Sequence, residues 1–425
     1  MKVHLQTIGC RANQYDTEAV RAMVLAAGHQ ITGDVAEADV AVINSCAVTM
    51  EAEADLRQSV RRAARANPRV RTVVMGCASA MPESQKTIAA LPSVQHVIAG
   101  ADMVQMAGAL ELDAQHAMVL PVAQRGARAL LRVQDGCDEH CTFCATRIAR
   151  GTNRSRTLAV LIGEARDLAM RHPEIVLTGV HIGTYGADVG SSLGELVERL
   201  VLEVPEVRFR LSSVEVTEVD HRLVDMLRGD ARRLAPYLHA PLQSGSDRIL
   251  KRMGRHWYTA ATYAAGVERL VARMPVFGLG ADVIAGFPGE TEQDHEATVQ
   301  LVKSLPFSAI HVFPYSARPG TAAARMDSLV RQEDVVRRAA ELRALGSIKA
   351  RQYQAARVGE QADVIVTEGG SPRRGVTEDH LTVAVVDASY PRGSRFRARL
   401  EAGATCLVAR TYWSLRPETD TGHCY

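Results

Sequence analysis

The sequence predicts an α/β protein of several domains: an N-terminal parallel α/β domain over residues 1–124, a partial (β/α)6 barrel over 125–355 and a small antiparallel β module over 356–415. Three observations predict this. The chain has 425 residues, too many for one hydrophobic core. Apolar runs of strand length alternate with amphipathic helical stretches through most of the chain. Beyond Val358 the alternation stops, and short strand-like runs separated by Gly, Pro and Arg take over.

In the first domain Lys2–Ile8 reads as a strand and Thr17–Ala27 as a helix that Gly28 stops. Val40–Asn44 and Thr72–Met75 are buried strands, with an Arg/Ala-rich helix over Leu56–Ala66 between them. Cys10, Cys46 and Cys77 each follow one of these strands by one to three residues. The carboxyl ends of an open parallel sheet share one edge, where ligands bind, so this placement gathers three cysteines that are distant in sequence. An ordinary buried cysteine would explain one of them. Three after three strands point to a metal site.

Leu91–Gln124 closes this domain and leads to the barrel, whose strands are predicted at Leu130–Gln134, Ile175–Thr178, Val207–Ser212, Tyr237–Ala240, Gly278–Ile284 and Ala309–Phe313. The first is followed by Gly136-Cys-Asp-Glu-His-Cys-Thr-Phe-Cys-Ala145, in which Cys137, Cys141 and Cys144 form a CxxxCxxC. Three thiolates on so short a loop suit three irons of a [4Fe–4S] cube, and no fourth cysteine is near, so one iron stays open. Zinc is the rival, but structural zinc favours four ligands in two pairs. The loop lies at the carboxyl end of a barrel strand, the active face of βα barrels. Polar and glycine-bearing segments recur at the other strand ends: Leu177-Thr-Gly-Val180, Leu211–Glu215, His239–Gly245, Asp282–Glu290 and Val312–Ser316. Their recurrence predicts a cofactor pocket facing the cysteine loop.

A charged helix, Arg331–Gln354, ends the barrel. The last module carries strand-like runs at Ala362–Val366, Leu381–Val386, Arg395–Leu400 and Thr405–Arg410. Cys406 is expected in its core, and Cys424, in the tail Ser414–Tyr425, is expected to be incidental.

Formal net charge is only +2, so any contact with nucleic acid must use local patches. Arg147, Arg150, Arg154 and Arg156 form one acid-free run, and Arg57, Arg61, Arg62, Arg65, Arg69 and Arg71 another, which reads equally as a solvated helix face. Arg392, Arg395, Arg397 and Arg399 alternate around Phe396, and this set is predicted to bind RNA. The eight cysteines are too unevenly spaced for a secreted disulfide framework. With no leader and no apolar run of membrane-spanning length, the expectation is a cytoplasmic protein with reduced thiols and no membrane partner.

Ordered motifs resemble the radical S-adenosylmethionine methylthiotransferases over almost the full length. They include Thr7-Ile-Gly-Cys-Arg-Ala-Asn-Gln-Tyr-Asp-Thr-Glu18, Asn44–Thr49, the CxxxCxxC, His239–Gly245, Gly286–Thr291, Pro314-Tyr-Ser-Ala-Arg-Pro-Gly-Thr321 and Gly375–Val383. The three parts are similar to that family's N-terminal cluster domain, radical-SAM barrel and RNA-binding TRAM domain. Leu177-Thr-Gly-Val-His-Ile-Gly-Thr-Tyr-Gly186 and Asn13–Thr17 look like the branch acting on threonylcarbamoyladenosine in tRNA. Arg11-Ala-Asn and Thr152-Asn-Arg depart from the common pattern, and no Pro follows Glu215.

The resemblance implies methylthiolation of C2 of N6-threonylcarbamoyladenosine next to the anticodon. Its cofactors would be S-adenosyl-L-methionine and two [4Fe–4S] clusters. Cys137, Cys141 and Cys144 would hold the cluster that generates a 5′-deoxyadenosyl radical, and Cys10, Cys46 and Cys77 the one that carries sulfur. The protein mainly orients and shields such chemistry. Thr178, Gly179, Ser213, Glu215, Gln243 and Gly286 are the expected cofactor-binding residues. The partners implied are the tRNA anticodon stem-loop, an external electron donor and a sulfur source. Alternatives are a methylthiotransferase for isopentenyladenosine tRNA or a ribosomal-protein aspartate, and a non-catalytic iron–sulfur RNA-binding protein. A cobalamin enzyme is disfavoured because the chain lacks an Asp-x-His-x-x-Gly motif.

Overall fold

The computed structural model describes residues 1–47, 50–272 and 274–411. Val48 and Thr49 of the second motif, and the tail with Cys424, lie outside the described residues. Strands β1 (Lys2–Thr7), β2 (Gln30–Thr32), β3 (Val40–Ser45), β4 (Arg71–Gly76) and β5 (Val94–Val97) form a parallel sheet in the order β2-β1-β3-β4-β5. β3 is buried along its whole length, as a central strand of a covered parallel sheet must be, and its sequence is nearly continuous apolar. The edge strands β2 and β5 are short and half exposed, so they lack the apolar signal that marks the centre. The first helix runs Arg11–Ala26 and so begins a turn and a half before the predicted Thr17. Its first turns bury Asn13, Asp16 and Thr17, polar residues that hide the amphipathic period.

The barrel strands are β6 (Ala129–Arg132), β9 (Glu174–Thr178), β10 (Arg208–Leu211), β11 (Tyr237–His239), β12 (Gly278–Ala285) and β13 (Ala309–Pro314); a short antiparallel pair, β7 (Gln134–Asp135) and β8 (Arg154–Ser155), follows β6. Two parallel sheets, β6-β9-β10 and β11-β12-β13, are joined by parallel bridges Phe209–Leu234 and Ser213–His239. The strands therefore follow one another in chain order around an arc, the expected partial barrel. Leu161, Leu196, Leu223 and Val267 from the crossover helices pack against its outer face in one core.

A helix at Gln332–Ala356 leads to five strands: β14 (Gln361–Glu368), β15 (Arg373–Val376), β16 (Thr382–Val385), β17 (Arg395–Glu401) and β18 (Leu407–Arg410). These close into a barrel in the order β14-β15-β16-β18-β17. The module is not purely antiparallel as expected, because β16 and β18 pair in parallel to close it. β15, with its two arginines and a glycine, escaped prediction. Cys406 is half-buried and precedes β18, so it is not the core residue expected.

The small barrel covers the amino end of the large one. Arg208 Nη1 donates to the Asp363 carbonyl at 3.0 Å and Arg210 Nη2 to the Thr377 carbonyl at 2.9 Å. The Tyr237 and His380 rings meet at 4.4 Å, and a Cβ on Gly278 would stand 2.1 Å from the Asp379 carbonyl oxygen. Arg208, Tyr237 and Gly278 each open their strand. With that end sealed, the carboxyl end is left for the cysteine loop. Among the described residues no helix is long and apolar enough to cross a membrane.

Candidate functional site

Two cysteine triads face each other across the junction of the first two domains. Cys10 caps the first helix in extended conformation, Cys46 follows β3, and Cys77 follows β4. Gly9, at φ 128°, lets the chain pass Cys46 so closely that a Cβ there would sit 2.9 Å from the Cys46 Cβ. The sulfurs of Cys10 and Cys77 lie 3.3 and 3.9 Å from Asn13 Oδ1. Asn13 is itself fixed by donating Nδ2 to Asn44 Oδ1 at 2.9 Å and to the Ser45 carbonyl at 2.7 Å. Burial pushes the Cys77 thiol up to about 11 against the opposing charge of Arg150, and Cys10 and Cys46 are near enough to add to the rise.

The second triad sits on the loop 136–153, which the β7–β8 pair ties at its neck. Gly136, at φ 74°, approaches the Thr152 carbonyl where no side chain fits, and Cys137 N–H donates to the Gly151 carbonyl at 3.0 Å. Each sulfur has its own polar neighbour: His181 Nδ1 at 3.5 Å from Cys137, Arg255 Nη1 at 3.5 Å from Cys141 and Thr146 Oγ1 at 3.1 Å from Cys144. Burial pushes the Cys141 thiol up to about 12, opposed by Arg255. Burial works against a charged His181, yet hydrogen bonds to Cys137 and Glu218 push it up to about 10. The cations at Cys137 and Cys141, with the Thr146 N–H that donates to Cys144 Sγ at 3.4 Å, are the surroundings a thiolate-bound, anionic iron cluster needs. The donor set fits a [4Fe–4S] cluster.

Both triads open onto one cavity of about 840 Å³, whose wall includes Cys77, Cys144, Gln243, Asp282, Phe313 and Arg318. Of the residues predicted to bind cofactor, Gln243 lines this cavity in left-handed conformation at φ 63°, and Ser213 is exposed beside His239. Thr178 is fully buried, and Gly179 packs against Gln134, where a Cβ would stand 2.6 Å from its carbonyl oxygen. Glu215 is tied up by a buried ion pair with Arg255, so it reaches the cysteine loop through that arginine.

Gly286, the last of the expected cofactor-binding residues, packs against the helix Gln332–Ala356. At φ 78° its Cβ position lies 2.4 Å from Val335 Cγ2, and its N–H donates to Glu290 at 3.1 Å. The glycine is there for close helix packing. Gly286→Ala is expected to lower stability by roughly 2–3 kcal/mol, read from the urea midpoint, through the left-handed backbone plus overpacking. A shift under about 0.5 kcal/mol would mean that the helix simply moves aside.

The arginine expectations also change. Arg150 is buried and pairs with Asp16 at 2.7 Å and Asp135 at 3.2 Å, and its Nε lies 3.3 Å from Cys77 Sγ. Arg156 pairs with Glu164 at 2.6 Å and reaches the Tyr15 hydroxyl. These two fasten the N-terminal domain to the barrel and are not free for RNA. Arg147 and Arg154 stay exposed. In the small barrel Arg395 is paired with Asp363 at 2.6 Å, and Phe396 points into the core, stacked on Tyr390 at 4.0 Å. Strand alternation puts Phe396 on the face opposite its arginines. Arg392, Arg397 and Arg399 remain on the outer side. Sequence reasoning missed Asn13, His181, Arg255 and Arg318. All but Arg255 lie inside quoted motifs, whereas Arg255 stands 114 positions from its cysteine partner.

Comparison with known proteins agrees with this architecture. Residues 2–100 match the model described as uncharacterized protein family UPF0004, and residues 131–302 match the radical SAM superfamily. A Thermotoga maritima protein named threonylcarbamoyladenosine tRNA methylthiotransferase MtaB is 36% identical over 76% of this chain and 77% of its own. The MtaB of Bacillus subtilis is 35% identical over 86% and 85%. A Cereibacter sphaeroides protein named tRNA-2-methylthio-N(6)-dimethylallyladenosine synthase is 34% identical over 96% and 98%. Among solved structures, the radical S-adenosylmethionine methyltransferase TsrM from Kitasatospora setae, with cobalamin and a [4Fe–4S] cluster bound, superposes with a TM-score of 0.54. It is 14% identical, covering 76% of this chain and 77% of its own, and shows the fold alone. The cysteine loop at the carboxyl end of a partial barrel and the extent of these similarities together assign the chain to the radical S-adenosylmethionine methylthiotransferase family, in which proteins named MtaB are among its relatives.

Proposed function

We propose that this protein methylthiolates C2 of N6-threonylcarbamoyladenosine beside the anticodon of tRNA, using S-adenosyl-L-methionine and two [4Fe–4S] clusters. The observation that carries this reading is the shared cavity, with Cys77 from one triad and Cys144 from the other in its wall. Cys137, Cys141 and Cys144 would hold one cluster; Cys10, Cys46 and Cys77 would hold the other. When bound, these groups supply one-electron chemistry for an unactivated C–H position, and sulfur for transfer to it.

The chain's own residues orient and enclose. His181, Arg255 and the Thr146 N–H stabilise the barrel thiolates, and Glu215 holds Arg255 in place. Arg150 Nε does the same for Cys77 of the N-terminal triad, and the Asn13 amide oxygen accepts from the Cys10 thiol. Phe143, Ile284, Phe313 and Val336 give the cavity apolar walls that suit a flat base and exclude water. Arg392, Arg397 and Arg399 supply an outer basic face for the tRNA backbone. An external electron donor and sulfur source complete the cycle, in the cytoplasm.

The Cereibacter relative gives dimethylallyladenosine as the second substrate reading. One measurement separates them. Mass spectrometry of tRNA nucleosides from cells lacking the protein is expected to show threonylcarbamoyladenosine without its methylthio group. Loss of the methylthio group from dimethylallyladenosine instead, or from neither, rejects the proposal.

A further inference from the structure

Gln134 is fully buried at the start of β7, beneath the neck of the cysteine loop. Its Oε1 accepts from two consecutive backbone N–H groups, Val180 at 3.1 Å and His181 at 2.9 Å. Two donors on that atom fix which end of the amide is the oxygen. Its Nε2 then faces three acceptors: the Gly136 carbonyl at 2.5 Å, Asn153 Oδ1 at 2.6 Å and the Asp135 carbonyl at 3.1 Å. Gly136 precedes Cys137, and Asn153 closes the loop, so one side chain binds both sides of the neck and the chain beyond β9. Gly179 is pressed against the same amide, where a Cβ would stand 2.9 Å from Gln134 Oε1. Thr184 Oγ1 extends the network, at 2.8 Å from the His181 carbonyl and 3.3 Å from Asn153 Oδ1.

The two pieces joined in this way carry the partners of one contact. His181 Nδ1 lies 3.5 Å from Cys137 Sγ, and its Nε2 lies 2.8 Å from Glu218 Oε1. Gln134 holds the backbone N–H of His181 itself and the carbonyl just before Cys137, so it fixes both ends of that contact. A buried amide engaged at both ends is costly to leave half satisfied, which makes the arrangement rigid. A donor at a cluster thiolate favours the more negative, reduced cluster and so raises its potential. We infer that Gln134 is a positioning residue: it places His181 on the Cys137 sulfur and through that contact sets the reduction potential of the cluster held there. This rests on the barrel cluster proposed above and names what tunes it.

The test is a redox titration of the reconstituted holoenzyme followed by electron paramagnetic resonance, in which the barrel cluster is the signal that S-adenosylmethionine shifts. His181→Phe and Gln134→Met are each expected to lower its potential, by roughly tenfold in the reduction equilibrium, or about 59 mV for one electron. The double variant is expected to fall no further than His181→Phe, because Gln134 acts through His181. Hydrogen exchange at the Val180 and His181 amides is expected to quicken roughly tenfold or more in Gln134→Met, since their acceptor is gone. A lower urea midpoint with an unchanged potential makes Gln134 merely structural and overturns the inference. Additive shifts in the double variant overturn it too, as does an unmoved potential in His181→Phe, which leaves no contact to place. Should Gln134→Met hold no iron, Asn153→Ala takes its place; it removes one acceptor of the amide and is expected to give a smaller fall that vanishes in the His181→Phe background. Iron lost from both variants but kept in His181→Phe overturns the inference, because Gln134 would then form the loop and not place His181. A wild type without any signal that S-adenosylmethionine shifts fails the cluster reading itself, and the inference with it.

Discussion

Cys144→Ala is expected to abolish reductive cleavage of S-adenosylmethionine, whereas Cys10→Ala retains cleavage and loses only methylthio transfer. The difference follows from the two triads. Cys144 sits on the barrel loop with the Thr146 N–H donating to its sulfur at 3.4 Å, and Cys10 belongs to the N-terminal triad, one residue before the first helix. Cys10 makes the cleaner test of its triad, because Cys77 is also a partner of Arg150 and its loss disturbs the packing between domains. Anaerobically reconstituted wild type is expected to bind about eight irons, and either triple Cys→Ala variant about four. Four irons in the wild type, unchanged when Cys10, Cys46 and Cys77 are replaced, would falsify the two-cluster reading. Loss of cleavage in Cys10→Ala would instead show that the triads do not act separately.

The second large effect concerns stability. Glu174 is fully buried and accepts hydrogen bonds from Arg208 Nε at 2.5 Å, Arg210 Nε at 2.9 Å and Arg128 Nη1 at 3.2 Å. Burial alone would raise its pKa, but Arg210, Arg208 and Arg128 hold it well below the usual carboxylate range. Glu174→Gln removes the charge that three guanidiniums share, two of which have no exposure at all, and leaves Arg208 with Asp363 at 3.5 Å. The expected loss is about 3–5 kcal/mol, seen as a lower denaturant midpoint. Because Arg208 and Arg210 also bond carbonyls of the small barrel, the variant is expected to be cut faster by protease near Gly359. A loss below about 1 kcal/mol would show that another group or water neutralises the arginines.

The parts of this protein that were legible in the sequence share one property: their signal is local. The central strands β3 and β4 and most of the barrel strands read as apolar runs, and the CxxxCxxC needs only its own spacing. The edge strands β2, β5 and β15 did not show, because a half-exposed strand carries no strong pattern. The start of the first helix was missed for a related reason. Asn13 and Asp16 face inward to serve Cys10 and Arg150, so function overrode the hydrophobic period there.

Charged residues were the least legible. An acid-free run of arginines looked available for RNA, yet Arg150 finds Asp16 from 134 positions away. Arg395 likewise finds Asp363, and Arg255 finds Glu215. Whether a cation is free or paired depends on which strands become neighbours, and only the fold fixes that. The sequence by itself determined the three-part α/β architecture and put six cysteines at strand ends, since strand direction alone sends those ends to one edge. Only the tertiary structure decided that the two triads share a cavity and that the small barrel seals the opposite end. These are long-range pairings of side chains, and no spacing along the chain encodes them.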